Sequence, residues 1–155
     1  MESHIYNVNI TWSRERQGMM CSPELSINSP VSAGCIEVAT PPEFPKGIPG
    51  IWSPEHLFTA AVSSCLMTTF LAIAENSKLD FISFQCRSKG KLQQIDGKFM
   101  MTEVLLEPVV VIKEEKDAER ALKVLQKSET NCLISNSVKT RIIMKPVVQV
   151  EAVSV

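Results

Sequence analysis

The chain has 155 residues, of which 45% are hydrophobic and 21% are charged. These proportions are typical of a folded soluble protein and exclude a disordered or low-complexity chain, and the length suits one domain with a core. The formal net charge of −1 and the lack of a Lys/Arg cluster along the chain argue against binding to nucleic acid. We therefore expect a single domain over residues 1–155 without a nucleic-acid partner.

The N-terminus and the cysteine spacing do not indicate an exported or metal-binding protein. The first residues lack the basic and apolar regions of a secretory signal. The five cysteines are odd in number and form no CxxC pair, which disfavours a disulfide framework and a zinc site. His56 suits a solvated or capping position. We expect a cytoplasmic protein with free thiols, no metal and no cofactor.

The N-terminal third predicts strands followed by a loop. Residues 5–12 alternate in polarity with the period of a strand that has one buried face. A polar turn is expected at residues 13–18, and strands near 19–27 and 33–40 would complete an antiparallel meander. Residues 41–52 contain four prolines and two glycines, too many for a regular element, and predict a loop.

A long helix is expected to follow, from about residue 54 to residue 77. Ser53 suits the N-cap because its hydroxyl can accept from the unpaired amides of the first turn. Pro54 suits the first helical position because its missing donor is not needed there. Glu55 adds a negative charge at the positive end of the helix dipole.

This helix carries an uncharged run at residues 57–74, at the lower edge of what a membrane span requires. Five residues of the run are Ser or Thr, so a helix buried on nearly all sides within a soluble protein is the better interpretation. One thin sheet cannot cover such a helix. We therefore expect no membrane partner and an obligate homodimer.

A hairpin is predicted after the helix. A strand at residues 81–94 places Ile82, Phe84 and Cys86 on one face, and Asp96-Gly97 provides the turn to a partner strand. That partner should occupy residues 99–113.

The last part of the chain predicts helical segments and a final strand. An amphipathic helix is expected at 115–128, a short helical turn at 132–139 and a strand around 140–150. Runs of strands with helices after the third and fifth indicate an α+β fold rather than an alternating parallel sheet.

Three of the cysteines are interpreted as small buried hydrophobic residues. Cys86 lies on an apolar strand face. Cys21 and Cys35 lie in or beside the N-terminal strands, and no charged residue is spaced along the sequence so that it would activate either thiol. Structural burial is therefore expected for all three.

The other two cysteines are candidates for chemistry. Thr130 or Asn131 can cap the short helix and place the sulfur of Cys132 at its first turn, where unpaired amides and the dipole favour a thiolate. Cys65 lies near the middle of the long helix, so a lowered pKa there would need a nearby cation. These features alone leave the role of Cys132 open and favour core packing for Cys65.

Two separated motifs resemble the OsmC/Ohr family. SPEHLFTAAVSSCL at residues 53–66 is similar to the family segment in which a Pro-Glu helix start leads to a peroxidatic cysteine. NCLISNSVK at residues 131–139 is similar to the second signature, which contains a resolving cysteine. The resemblance covers essentially the whole chain. It implies an α+β fold in which antiparallel sheets wrap a long buried central helix within an intertwined homodimer.

The resemblance also implies a reaction. Cys65 would attack a hydroperoxide and Cys132 would resolve the resulting sulfenic acid, while Glu55 orients an arginine of the first hairpin that lowers the pKa of Cys65. The family turn reads Arg-x-Gly, which favours Arg16, and Arg14 remains open. The implied partners are a small hydroperoxide and a dithiol or lipoyl-type reductant.

The sequence defines the substrate preference less closely than the thiol chemistry. An apolar pocket that favours organic hydroperoxides is expected from side chains of the long helix, namely Leu57, Phe58, Leu66, Met67 and Phe70. The family commonly has Pro after the resolving cysteine, where this chain has Leu133, and this departure leaves substrate choice open. The alternative function is a non-enzymatic dimer that binds a small hydrophobic molecule or senses redox state through the same cysteines.

Helix geometry constrains the location of the site. Glu55 and Cys65 are ten residues apart, or about 15 Å along an unbroken α-helix. Either an extended arginine spans this gap or the second subunit contributes groups. We therefore expect the site at a dimer interface.

Overall fold

The computed structural model describes residues 3–26 and 34–152. The chain divides into two compact units, Met1–Leu57 and Phe58–Val155. The first unit contains an antiparallel sheet in which the strands are neighbours in chain order. Its strands are β1 (Asn9–Arg14), β2 (Gln17–Cys21) and β3 (Cys35–Ala39). The predicted order of the meander is confirmed, but β2 ends at Cys21, and Pro23–Ser26 form a 3₁₀ helix where the strand was predicted to continue. Residues 27 and 33, at the ends of two predicted strands, lie outside the described part.

The first hairpin is tighter than predicted. Its turn consists of Glu15 and Arg16, because Arg14 still pairs with Gln17 across the strands. Glu15 has a φ of 44°, the left-handed conformation that two-residue hairpin turns require. The predicted buried face of β1 is wrong for the single chain, since every residue of β1 is exposed and Trp12 is 73% exposed.

The cysteines of the first unit correct the expectation of free, buried thiols. Cys21 and Cys35 are directly opposite each other in the pairing of β2 with β3, and they form a disulfide. Both are half-buried. Opposite residues on antiparallel strands point to the same face with their Cβ atoms close together, so the sheet register brings the two sulfur atoms within bonding distance. The two cysteines are 14 residues apart in the sequence, and this spacing by itself does not indicate a disulfide.

The predicted loop at 41–52 is confirmed, and it is tied to the sheet by backbone hydrogen bonds. The N–H of Ala39 donates to the carbonyl of Trp52 at 2.9 Å, and the N–H of Thr40 donates to the carbonyl of Arg16 at 3.1 Å. The second bond connects the loop to the turn of the first hairpin. A Cβ at Gly47 would lie 2.0 Å from the carbonyl oxygen of Pro41, so only glycine fits this bend.

The long helix α1 (Pro54–Asn76) begins as predicted. The N–H of His56 donates to Ser53 Oγ at 3.3 Å, and the N–H of Ser53 donates to His56 Nδ1 at 3.3 Å. This reciprocal arrangement is a capping box with histidine in the place of the usual Glu or Gln. The capping position expected for His56 is confirmed.

The C-terminus of α1 has the Schellman hydrogen-bond pattern. The N–H of Leu79 donates to the carbonyl of Ala74 at 2.9 Å, and the N–H of Lys78 donates to the carbonyl of Glu75 at 3.0 Å. Leu79 is buried in the same cluster as Ala74, the hydrophobic contact that accompanies this motif. The pattern requires a left-handed residue after the helix, and here that residue is Lys78, with a φ of 55°.

Replacing Lys78 with glycine should therefore stabilise the protein. Glycine adopts positive φ without the steric cost that a Cβ imposes, and we expect the free energy of unfolding to rise by about 0.5–1 kcal/mol. Urea denaturation followed by circular dichroism measures this change. Lys78→Ala is the matched control, since it removes the same charge but keeps the Cβ. An equal gain in both variants would show that the charge, and not the backbone, is responsible.

The second unit contains a four-stranded mixed sheet. Its long hairpin consists of β4 (Phe81–Ile95) and β5 (Lys98–Ile112), joined at Asp96-Gly97 as predicted. β6 (Arg141–Met144) and β7 (Val147–Val150) both pair with β5 in parallel. The predicted α+β fold is confirmed, with one correction: β6 and β7 make the second sheet mixed rather than antiparallel.

The single strand predicted near 140–150 is interrupted between β6 and β7. Pro146 lies in the interruption and lacks the N–H that a ladder needs. On the facing strand, β6 pairs with residues up to Leu106 and β7 with residues from Val109 onward. The buried Pro108 lies in this gap. Prolines at matching points of two neighbouring strands thus divide the last strand.

Two helices follow the hairpin. After a 3₁₀ turn at Glu115–Asp117, α2 extends from Ala118 to Thr130 and the short α3 from Leu133 to Asn136. α2 continues two residues beyond its predicted end. The main core cluster joins side chains of α1, α2 and β5; its fully buried members include Phe70, Val110, Ile112, Ala121 and Leu125.

In the single chain, the helix α1 is buried on one face, and the expected cover of its other sides by a second subunit stays a prediction. Val62, Leu66 and Phe70 are fully buried, and a Cβ at Gly90 of β4 would lie 2.1 Å from Thr59 Oγ1. The opposite face is exposed and carries no charge over about three turns; it consists of Ala61, Ser64, Met67, Thr68, Leu71 and Ala72. By length and composition α1 could also cross a membrane.

One residue of the hairpin faces differently from the prediction. Ile82 is 41% exposed, because the register shifts between Phe81 and Ser83. Such a bulge reverses the alternation of faces. Phe81 therefore packs against the core together with Phe84, while Ile82 does not lie on the predicted buried face.

Candidate functional site

The structure brings the two candidate cysteines of the second unit into contact. Cys65 lies on the buried face of α1 and is 7% exposed, while Cys132 immediately precedes α3 and is completely buried. Their thiols form a hydrogen bond with each other. Both are free thiols. The chain therefore holds a reduced dithiol pair drawn from two distant parts of the sequence.

The contact depends on how α3 is anchored. Ile134 of α3 packs against the cluster formed by Val62 and Leu66 of α1 with Val104 and Leu106 of β5. This apolar contact holds the first turn of α3 against the helix turn that carries Cys65. The side-chain amide of Asn136 also donates to the carbonyl of Thr130 at 3.1 Å, which fixes the segment between α2 and α3.

The surroundings of Cys65 favour its thiolate. Burial raises the pKa of Cys65, but hydrogen bonds from Cys132, from the backbone at Ile134 and Leu133, and from Thr69 outweigh burial and hold the pKa below its ordinary value. The sequence-based expectation was that a lowered pKa would need a cation. Instead, the structure lowers it with hydrogen-bond donors at the start of α3.

Cys132 behaves differently from the prediction. Burial raises its pKa, and the hydrogen bond with Cys65 raises it further, while contacts with Ser135 act in the opposite direction without offsetting these effects. The expectation that the first turn of α3 would favour a Cys132 thiolate is therefore wrong. The backbone at Leu133 and Ile134 lowers the pKa of Cys65 instead.

The two thiols of the pair differ in acidity. Cys65, whose pKa is lowered, ionises more readily, and the thiolate is the nucleophilic form of cysteine. Cys132, whose pKa is raised, stays protonated to higher pH. Within the described residues there is no group of three or more His, Cys, Asp or Glu side chains that could hold a metal ion.

Cys86, the third free thiol, contacts a serine side chain rather than the pair of Cys65 and Cys132. Cys86 is half-buried against the cluster of Val62 and Leu66. Its sulfur lies 3.5 Å from Ser88 Oγ, and Ser88 donates to Ser63 Oγ at 2.8 Å. The packing role expected for Cys86 agrees with this position.

The predicted arginine and glutamate lie in the first unit. Arg16 and Glu55 both line a cavity of about 340 Å³, and Arg14 is not among the described residues that line it. Both arginines are exposed. The structure thus associates Arg16, rather than Arg14, with Glu55.

The walls of this cavity differ from the predicted apolar pocket. They include Ile10, Trp12, Val38 and Phe44 of the first unit. Of the predicted lining residues, Leu66 and Phe70 are fully buried in the core, so they are not accessible to a ligand. The alternation of residues 5–12 indicated that Ile10 and Trp12 share a face, but only the folded sheet places them beside Arg16.

The fold and the contacting thiols define a class of α+β protein with a dithiol formed between its long helix α1 and the start of the short helix α3. The sequence also matches a family profile described as OsmC-like protein over residues 47–146. The chain belongs to the OsmC-like family.

Several known proteins are similar to this chain. YmaD of Bacillus subtilis (strain 168), described as an uncharacterized protein, is 28% identical over 90 residues, which cover 56% of this chain and 60% of YmaD. The chain thus matches less than two thirds of the length of this curated relative.

Solved structures share the fold over nearly the whole chain. An OsmC-like protein of unknown function from Vibrio cholerae superposes with a TM-score of 0.80 at 24% identity, covering 94% of this chain and 100% of the other. An organic hydroperoxide resistance protein from Elizabethkingia anophelis gives a TM-score of 0.72 at 21% identity, covering 97% and 99%. At these identities the likeness establishes the fold.

Proposed function

We propose that this protein is a thiol-dependent hydroperoxide reductase. The observation that carries the proposal is the contact between Cys65, whose pKa is lowered, and Cys132, whose pKa is raised. Membership of the OsmC-like family and the fold shared with an organic hydroperoxide resistance protein support it. The electron source is a dithiol or a small thiol.

The reaction proceeds in three balanced steps. The Cys65 thiolate attacks the terminal oxygen of ROOH; the O–O bond breaks, the alkoxide takes a proton to leave as ROH, and Cys65 becomes a sulfenic acid. The thiol of Cys132 then attacks the sulfenic sulfur, forming a disulfide and releasing water. Two reductant thiols finally reduce this disulfide and are themselves joined as a disulfide.

The Cys21–Cys35 disulfide makes a direct test straightforward. With this bond intact, the described chain holds three free thiols, Cys65, Cys86 and Cys132. Addition of one equivalent of cumene hydroperoxide without reductant should leave one free thiol per chain, measured by thiol titration. Cys86→Ser should also lose two thiols and retain none.

The same thiol titration distinguishes the proposed reductase from the alternative, non-enzymatic function. The apolar walls of the 340 Å³ cavity would also suit a non-enzymatic dimer that binds a small hydrophobic molecule. That function requires no thiol consumption. If the thiol count of the wild-type protein does not change on addition of cumene hydroperoxide, the reductase proposal is wrong and the binding function becomes the better account.

We assign the arginine of the site to Arg16. A guanidinium can favour the thiolate and donate to the peroxide oxygens as the O–O bond breaks. Arg16→Ala should lower the second-order rate constant for peroxide by about 10²–10³-fold, the scale for loss of one transition-state donor. Arg14→Ala is the matched control and should change it by less than about threefold, because an exposed charge outside the site contributes little. Stopped-flow kinetics measures both, and equal effects would contradict the assignment.

The working form is proposed to be a homodimer. The exposed face of α1 carries no charge over about three turns, and β1 exposes large apolar side chains such as Ile10 and Trp12, at 62% and 73%. Monomeric proteins rarely expose such continuous apolar surface. Glu55 and Cys65 of one chain are about 15 Å apart along the helix, and a second copy that covers these faces could supply the groups that one chain cannot bring together. Sedimentation equilibrium should give a dimer mass, and a fully active monomer would contradict the proposal.

Mixed dimers test whether the subunits share residues. If Arg16 of one subunit serves Cys65 of the other, mixing inactive Arg16→Ala chains with inactive Cys65→Ser chains should restore activity, because each mixed dimer contains one complete site. If each subunit supplies its own arginine, the mixture should stay inactive.

A further inference from the structure

A second groove lies in the second unit, on the surface between the end of α1 and one face of α2. Its volume is about 400 Å³, within the range of small-molecule sites. From α1 it is lined by Ile73 and Ser77, and from α2 by residues at helical spacing that include Val124. It does not involve Cys65, Cys132 or any other residue placed in the reductase site.

The groove is strongly cationic on one side. Arg120, Lys123 and Lys127 all line it, and no Asp or Glu is among the described residues that do so. These three residues follow one another at intervals of three and four, so their side chains share one helix face and repel one another. They are separated along the chain by apolar and neutral residues, which hides the cluster in a linear reading of the sequence.

The existing ion pairs leave part of this charge uncompensated. Lys123 pairs with Glu119 of α2 at 2.6 Å, and Arg120 lies 3.7 Å from Asp117 at the end of the preceding 3₁₀ turn. Within the described part of the chain, Lys127 forms no ion pair. Arg120 and Lys123 are also 52% and 67% exposed, so both can turn toward a ligand.

The groove also has an apolar part, which is formed by Ile73 of α1 and Val124 of α2. Ile73 is half-buried and supplies most of this apolar surface, since Val124 is 3% exposed and belongs to the main core cluster. A ligand that fits the groove therefore combines a negative group for the cationic side with a short hydrocarbon part for Ile73 and Val124. Inorganic anions lack the second feature and neutral alcohols lack the first.

We propose that the groove between α1 and α2 is a binding site for a small organic anion with a short hydrocarbon chain. The negative group lies among Arg120, Lys123 and Lys127, and the chain lies on Ile73 and Val124. Electrostatic attraction sets selectivity for anions, and burial of the hydrocarbon adds affinity. Because the site shares no residue with the dithiol pair, it is independent of the proposed reductase activity.

The test uses hexanesulfonate, which is anionic at all working pH values, with hexan-1-ol and sulfate as partial ligands. In ¹⁵N-resolved NMR titrations of the full-length protein, hexanesulfonate should shift the signals of Ser77, Gln126 and Asn131, which line the groove. It should bind at least about tenfold more tightly than either partial ligand. Equal binding of hexan-1-ol, or shifts confined to other regions, would overturn the proposal.

Charge variants complete the test. Arg120→Gln combined with Lys127→Gln should raise the dissociation constant of hexanesulfonate about five- to tenfold. Lys113→Gln combined with Lys116→Gln is the matched control, because it removes two cations that pair with Asp80 and Glu114 outside the groove, and it should change the constant by less than twofold. Equal weakening in both double variants would show only a general charge effect and would overturn the site. Circular dichroism confirms folding of each variant.

Discussion

Cys65→Ser should abolish peroxide reduction. We expect the rate constant to fall by at least about 10³-fold, since removal of a nucleophile eliminates the covalent step and leaves only the uncatalysed reaction. The serine hydroxyl is nearly the same size as the thiol, so the core packing of this 7% exposed position should be preserved. Stopped-flow peroxide consumption measures the rate, and urea denaturation measures stability.

Cys86→Ser is the matched control for this prediction. Cys86 is also a free thiol and packs against the same cluster of Val62 and Leu66, but its sulfur contacts Ser88 rather than the dithiol pair. Its replacement should leave the rate within about twofold of wild type. If Cys86→Ser loses activity while Cys65→Ser keeps it, the nucleophile has been assigned to the wrong residue.

Cys132→Ala should convert a reversible cycle into irreversible inactivation. Without the resolving thiol, the sulfenic acid at Cys65 meets a second peroxide, gains another oxygen and becomes a sulfinic acid while ROH is released. Turnover with a dithiol should fall by about 10²-fold or more, and mass spectrometry should find two added oxygen atoms on the peptide containing Cys65. Survival of rapid, reversible turnover would mean that Cys132 does not resolve the intermediate.

The same variant should alter the pH dependence of Cys65. The hydrogen bond from Cys132 helps to hold the pKa of Cys65 below its ordinary value. Alanine donates no hydrogen bond, so the pKa should rise and the thiolate should form only at higher pH. The rate of alkylation by iodoacetamide, followed against pH in the Cys86→Ser background, should therefore shift to higher pH in Cys132→Ala. A shift to lower pH would contradict the hydrogen-bond explanation.

Local signals predicted the start of α1 and the turn of the long hairpin correctly. Ser53 and Pro54 act through atoms of the same helix turn, and Asp96-Gly97 supplies the positive φ values that the hairpin turn needs, 48° and 77°. Interactions that span only a few residues are contained in the sequence that makes them. The motifs around Cys65 and Cys132 likewise indicate the family without any information from the tertiary structure.

Predictions failed where distant residues decide the outcome. The Cys21–Cys35 disulfide depends on the register of β2 and β3, which no spacing rule reveals. The interruption between β6 and β7 follows from prolines on two different strands. The helix start that could favour a Cys132 thiolate does not lower its pKa, because burial and the contact with Cys65 outweigh that local effect.

The sequence alone specified the α+β class and the capped start of α1, because helix caps and turns are local, and its two motifs predicted that Cys65 and Cys132 act as a pair. Only the tertiary structure decided which thiol of the pair is the more acidic. Burial raises the pKa of both Cys65 and Cys132, yet hydrogen bonds from Cys132 and from the start of α3 lower that of Cys65 below its ordinary value. Those donors lie more than sixty residues from Cys65 along the chain, and packing of Ile134 against α1 brings them to it.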